Sequence, residues 1–218
     1  MGQRFPRTER LVWVGMGVAS ACLLLACLLG LLRIRAGLGK PLPVYGPVAD
    51  FSLTNQNNQP VSLENLQGHV WVGDIIFTRC PGPCLKMTRQ MKELEQALPS
   101  NTNVRLVTLT TDPDFDSPPV LKTYAQRFGA DFRRWTFLTG TKKQIADLAI
   151  GSLKLTALEK KPEDRASPDD LFVHSTIFVL VDKHAQLRGV FQTTGEGVDP
   201  LQVKSQILAG VRRLEREG

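Results

Sequence analysis

The run HVWVGDIIFT (69–78) admits few environments. A strand with one wet face would alternate polar and apolar residues, whereas this run is almost continuously apolar. It therefore predicts a strand covered on both faces. Gly68 bounds it on one side and the loop Cys80-Pro-Gly-Pro-Cys84 on the other. Beyond the loop, Leu85, Met87, Met91, Leu94 and Leu98 recur at helical spacing, which predicts a helix from about Cys84 to Ala97. The chain thus leaves a buried sheet and enters a helix at its two close-set cysteines.

The flanking segments continue this alternation. DFSLTNQNNQPVSL predicts two short strands around a polar turn at Asn55–Gln59. Strands are expected over 103–111 and 132–140, and helices over 118–129 and 141–153, the first opening at Ser117 as cap with Pro118 in its first turn. A polar loop, ALEKKPEDRASPDD (157–170), interrupts the pattern. STIFVLVD and LRGVFQTT form an expected hairpin, and a last helix runs from about Pro200 to Arg216. The order β-β-β-α-β-α-β-α-β-β-α predicts an α/β protein with a largely parallel sheet closed by an antiparallel hairpin. A strand–CxxxC–helix unit early in the chain and a terminal hairpin plus helix fit a thioredoxin-like fold with an N-terminal β extension.

LVWVGMGVASACLLLACLLGLL (11–32) carries no charge and, as a helix, is long enough to cross a bilayer. A cleaved signal would have a shorter apolar core ending at a small-x-small site. Ala19 and Ala21 offer such a site, but apolar residues continue well past it. Leu24-Leu25-Ala26-Cys27 offers a lipoprotein-type alternative. The favoured reading is an uncleaved anchor: a tail over 1–10, a transmembrane helix over 11–32, a tether over 33–46 and a folded domain over 47–218. Basic residues balance across the span, so the positive-inside rule barely decides orientation. The size of the domain after the span favours a cytoplasmic N-terminus, hence a single-pass protein of a bacterial inner membrane with its domain in the periplasm.

Charge excludes one function class. The net charge is +6, but residues 1–40 hold six of the 27 Lys/Arg and only one of the 21 Asp/Glu. The body of the chain is nearly neutral and has no basic aromatic patch or groove-reading motif, so nucleic acid is not an expected partner.

Cys22 and Cys27 fall in the apolar span, which leaves Cys80 and Cys84 in the domain. Two cysteines are too few for a disulfide scaffold and read instead as a site. Amide groups at a helix start favour thiolate, so lowered thiol pKa values are expected. Three residues between the cysteines leave more room than the two of a redox CxxC. Two thiolates with one imidazole would make a three-coordinate pocket for copper, Cu(I) above all. His174, at the end of the polar loop before STIFVLV, is placed where such a loop can face the cysteines. His69 and His184 read as structural or solvated.

FTRCPGPC, TTDPDFDSPPVL, WTFLTG and VHSTIFVLVD, in this order, resemble the SCO/SenC family of copper-binding assembly proteins over residues 47–215. The resemblance implies Cys80, Cys84 and His174 as copper ligands. It also implies a role in supplying copper to, or reducing the cysteines of, the Cu-A site of cytochrome c oxidase subunit II or a similar acceptor, with an upstream copper donor. Many members of that family have Pro after the second cysteine and an acidic residue before the histidine, where this chain has Leu85 and Val173.

Two further carboxylate groups stand out. In DPDFD (112–116) the pattern of a calcium loop fails at Pro113 and Ser117, so Asp112 and Asp116 are expected to shape the loop and cap the following helix. Asp74, inside the apolar strand and six residues before Cys80, predicts a buried carboxyl with a raised pKa. It is either a hydrogen-bonded structural group or a proton acceptor for a nearby thiol. Beside the copper chaperone stands an enzymatic alternative, a thiol–disulfide oxidoreductase in which Cys80 attacks and Cys84 resolves. The wider CxxxC spacing, and the absence of proline from LFVHST (171–176), favour metal.

Overall fold

A computed structural model describes residues 7–38, 41–100, 102–165 and 171–217. Two compact units divide the chain at Pro41 and Leu42. The first holds one helix, α1 (Arg7–Leu38), which continues beyond the uncharged run. Within it, Gly15–Leu32 has a mean hydropathy of 2.3 and no buried residues, so it is long and apolar enough to cross a membrane.

The second unit is built on a mixed eight-stranded sheet. Its strands are β1 (Gly46–Pro47), β2 (Ser52–Asn55), β3 (Pro60–Ser62), β4 (Trp71–Ile76), β5 (Arg105–Thr110), β6 (Trp135–Thr139), β9 (Ile177–Val181) and β10 (Gln186–Gln192). They lie in the order β1-β10-β9-β4-β5-β6-β2-β3. The central β4, β5 and β6 run parallel, and every other pairing is antiparallel. A separate two-stranded ribbon joins β7 (Ala157–Glu159) to β8 (Phe172–His174).

Every residue of β4 is buried, as its unbroken apolar run predicts. Alternation along the strand then divides the core. Val70, Val72 and Ile76 join one cluster with Met87, Met91 and Leu94 of α2 (Pro83–Ala97), Leu121 and Tyr124 of α3 (Pro118–Arg127), and Ile207 and Val211 of α5 (Pro200–Arg216). Trp71 and Ile75 join the opposite cluster, with Leu63, Leu66, Ile145 and Leu148. Helices thus cover both faces, and each fully buried aliphatic or Met side chain contributes about 1.5–3 kcal/mol.

Two elements depart from expectation. The helix expected over 141–153 is α-helical only as α4 (Lys142–Ala146), capped by a reciprocal Thr141–Gln144 pair, and continues as a π-helix over Asp147–Ser152. The wider turn closes with Leu153 N–H on the Leu148 carbonyl at 3.0 Å, and Ser152 Oγ accepts from Ala49 N–H at 3.0 Å. The loop expected over 157–170 contributes β7 and a short 3-10 turn at Pro162–Asp164; its residues 166–170 lie outside the described residues.

The sheet has a polarity that matters for the site. Leu187 of β10 lies level with Val181 of β9, which lies level with Trp71, the first residue of β4. Arg188 at this end donates to the backbone carbonyls of Pro43 and Leu42 at 3.1 and 2.9 Å and to the carboxylates of Asp182 and Glu217 at 2.6 and 2.9 Å. The unit therefore begins at the sheet end where β4 starts. The cysteine loop follows Ile76, at the other end.

Candidate functional site

The loop after β4 is short because Cys80 N–H bonds back to the carbonyl of Phe77 at 3.2 Å, and Gly82 and Pro83 start α2 at once. Both cysteines are thiols, Cys80 at 5% exposure and Cys84 at 0%. Their side chains are hydrogen-bonded to each other, and Phe77 N–H donates to the Cys84 sulfur at 3.5 Å. The hydrogen bond to Cys80, then burial, push the Cys84 thiol well above its ordinary range. This corrects the expectation of a lowered pKa at Cys84: the Phe77 amide favours thiolate, but full burial and a neighbouring thiol outweigh it.

Phe172 of β8 packs its ring against Phe77, with centroids 5.2 Å apart, and belongs to the same core cluster as Cys80 and Cys84. β8 precedes β9 by two residues, and Val179 of β9 lies level with Gly73, so the start of β9 is at the sheet end from which the cysteine loop projects. The backbone of His174 is paired with Ala157 in the ribbon, while the His174 side chain lies outside the described residues. His69 Nδ1 is 2.9 Å from the Asn103 carbonyl, and His184 lies in the β9–β10 turn, where its N–H donates to Asp182 at 2.9 Å.

Asp74 faces the same layer as the cysteines and is 1% exposed. Thr108 donates to its Oδ1 at 2.7 Å, and Trp135 Nε1–H donates in turn to Thr108 at 2.9 Å. Its Oδ2 has no hydrogen-bond partner among the described residues. Burial pushes this carboxyl up to about 7, against the opposing pull of the Thr108 hydroxyl.

Asp112 and Asp116 of DPDFD do not cap the following helix as expected. Asp116 is fully buried and caps nothing: its Oδ2 accepts from Thr78 N–H at 3.1 Å and from the Thr110 hydroxyl at 2.5 Å, and its Oδ1 accepts from the Thr78 hydroxyl at 2.5 Å. Asp112 pairs with Arg79, whose guanidinium also lies 4.2 Å from the centroid of the Phe115 ring. The α3 start has Ser117 in the cap position without a side-chain cap bond. These acids hold Thr78 and Arg79, the two residues before Cys80. In sequence, Thr110 lies six positions from Asp116, whereas Thr78 and Arg79 lie more than thirty positions from the acids that hold them.

The SCO1/SenC family model matches residues 45–208, about three quarters of the chain. The chain belongs to the SCO1/SenC family. The SCO1 protein homolog of Bacillus subtilis (strain 168) is 38% identical over 141 residues, 64% of this chain and 70% of that protein. Among solved structures, BsSco superposes with a TM-score of 0.64 at 28% identity, covering 79% of this chain and 98% of that one. It is described as a member of the Sco family of cytochrome c oxidase assembly proteins in which a disulfide switch is identified. Yeast Sco1 with copper bound shares the fold, with a TM-score of 0.62 at 24% identity over 78% of this chain and 90% of that one. The expected thioredoxin-like α/β architecture is therefore that of Sco proteins.

Proposed function

We propose that this SCO1/SenC protein is a membrane-anchored copper chaperone whose cargo is held by Cys80, Cys84 and His174. The observation that carries the reading is the pair of buried, mutually hydrogen-bonded thiols at the exit of β4. Two soft donors at one point, shielded from water, suit a cation that prefers sulfur. The chain position of β8 supports the third ligand: Phe172, two residues before His174, packs on Phe77, three residues before Cys80. Copper bound to a Sco protein of the same fold supports the choice of metal. α1 supplies a membrane anchor, with the domain on the periplasmic side of a bacterial inner membrane. The acceptor is the Cu-A site of cytochrome c oxidase subunit II or a similar copper protein, and an upstream donor loads the thiols.

The full chain in detergent, loaded with copper and desalted, should retain one copper per chain. Cys80→Ser and Cys84→Ser should abolish retention. His174→Ala should lose the Cu(II)–thiolate absorption while keeping a reducible Cys80–Cys84 pair. Unchanged stoichiometry and absorption in that variant would sink the three-ligand reading.

A second activity is favoured by Asp74 and by the disulfide switch of BsSco. A carboxyl that titrates near neutrality, buried in the same layer as a dithiol, is suited to exchange protons with it during thiol–disulfide chemistry on a partner. The two activities use the same sulfurs and are compatible.

A further inference from the structure

One continuous segment, the loop Thr111–Ser117 with α3, reaches both ends of the cysteine loop. At the front, the Asp116 carboxylate takes the backbone N–H and the hydroxyl of Thr78, two residues before Cys80. At the back, the Thr88 hydroxyl donates to the carbonyl of Cys84 at 2.9 Å and lies 2.7 Å from the Tyr124 hydroxyl. Thr88 has a single hydroxyl proton, and it is committed to Cys84, so Tyr124 is the donor to Thr88. The result is a buried relay from the Tyr124 O–H to the Thr88 O–H to the Cys84 carbonyl.

The structure assigns Asp116 and Tyr124 as positioning residues that hold the cysteine loop in its dithiol geometry and oppose its closure to a disulfide. This deepens the copper-dithiol reading and rests on it for biological purpose, since a chaperone must keep its two sulfurs reduced to receive a cation.

Forming the bond requires the two Cβ atoms to come to about 3.5–4.5 Å and strains any loop that is held open. Here Thr78 is held by Asp116, and the turn of α2 that carries Cys84 is held by Tyr124 through Thr88, so any displacement of either end on closing the loop works against these bonds. Tyr124 is itself fixed by ring contacts with Phe128 and Phe137, at centroid distances of 5.0 and 6.5 Å. Its hydroxyl therefore cannot follow a moving Thr88 without disturbing the core.

The test uses the full chain in detergent, equilibrated in glutathione buffers of defined ratio. Cys80 and Cys84 together give up two electrons and two protons, forming one S–S bond. Glutathione disulfide accepts them and leaves as two glutathione thiols. Trypsin cleaves after Arg79 and Lys86, so the pair falls in one peptide over residues 80–86, separate from Cys22 and Cys27. Alkylation and mass spectrometry of that peptide give the equilibrium constant.

Tyr124→Phe keeps the ring and removes the hydroxyl; it should shift the equilibrium toward disulfide by about threefold to tenfold, the worth of one buried hydrogen bond. Thr88→Val should shift it in the same direction, and Tyr124→Phe should add nothing further in the Thr88→Val background. Asp116→Asn, which loses acceptor capacity at Thr78, should shift it by about tenfold or more, that is, lower the midpoint potential by about 30 mV. If these variants melt at lower temperature but keep the wild-type equilibrium constant, the residues are merely structural and the assignment is overturned. A shift toward dithiol overturns it equally. Should Asp116→Asn not fold, the Tyr124 and Thr88 variants decide alone. A wild-type chain that takes up no copper would end the chaperone reading and leave this ratio measurable.

Discussion

Phe172 and Phe77 meet ring to ring at 5.2 Å, and this one contact joins the β7–β8 ribbon to the strand that delivers the cysteines. Phe77 comes three residues before Cys80, and Phe172 two residues before His174. If His174 is a ligand, the alignment of the donors depends on an apolar pair that touches no metal. Phe172→Ala should therefore raise the copper dissociation constant by about tenfold or more with all three donors intact, and cost about 3 kcal/mol of stability. Phe172→Leu should recover most of both. Competition against a copper chelator, with urea unfolding in parallel, reads the two effects. Wild-type affinity in the alanine variant would detach His174 from the site.

Asp74 makes stability depend on pH in a definite direction. Its ordinary value of 3.8 rises to about 7 in the fold, so folding favours the neutral acid. The stability this confers is fully present below about 3.8, declines as pH rises and is lost as pH passes through about 7. Over that window the loss is on the order of 4 kcal/mol. Asp74→Asn has no such titration, so its stability relative to wild type should improve from pH 5 to about pH 7 and level off above it. Urea midpoints of the two proteins across that range, with the thiols kept reduced, check the sign. Parallel curves would mean that Asp74 is already ionised in the folded protein across this range, so that its pKa is not raised.

Arg188 serves four acceptors with one buried guanidinium, at 8% exposure, and its partner Asp182 is 5% exposed. Removing the cation strands a buried carboxylate, which costs more than the pair itself contributes. Arg188→Met should destabilise the domain by about 3 kcal/mol, whereas the double variant Arg188→Met with Asp182→Asn, which removes the stranded charge but keeps an oxygen to accept from the His184 and Gln186 amides, should recover part of that loss. Proteolysis near Leu42–Pro43 should accelerate in the single variant, because both carbonyls lose their donor. Equal stability of the single and double variants would contradict this account.

The segments that are legible in the sequence share one property: their burial is regular over at least five residues. β4 shows itself as an unbroken apolar run, α2 and α5 as helical stripes, and the β9–β10 hairpin as two apolar runs around a turn. β7 and β8 are three residues each, too short to show a period, and they pair across a polar loop. The π-helix at Asp147–Ser152 is hidden because the apolar spacing of Ile145, Leu148 and Ala149 suits an α-helix as well, and the Ala49 amide that bonds its last residue lies about a hundred positions away in sequence. Asp74 was legible as an acid in an apolar strand, because burial alone raises its pKa. Cys84 was misjudged because the helix-start argument is local, whereas burial and the adjacent Cys80 thiol are set by the assembled core. Asp116 was likewise out of reach, since its three donors come from two other strand ends.

The backbone of residues 42 and 43 is clamped at the sheet end where β4 begins, and the dithiol sits beyond the end where β4 finishes. Six strand residues separate the two levels, about 20 Å of rigid sheet. That sheet is a lever arm. A rotation of about 30° about the clamp would sweep the sulfurs through about 10 Å, whereas one extra residue of extended leash would add only about 3.4 Å. Arg188 fixes the point on the sheet from which that arm is measured.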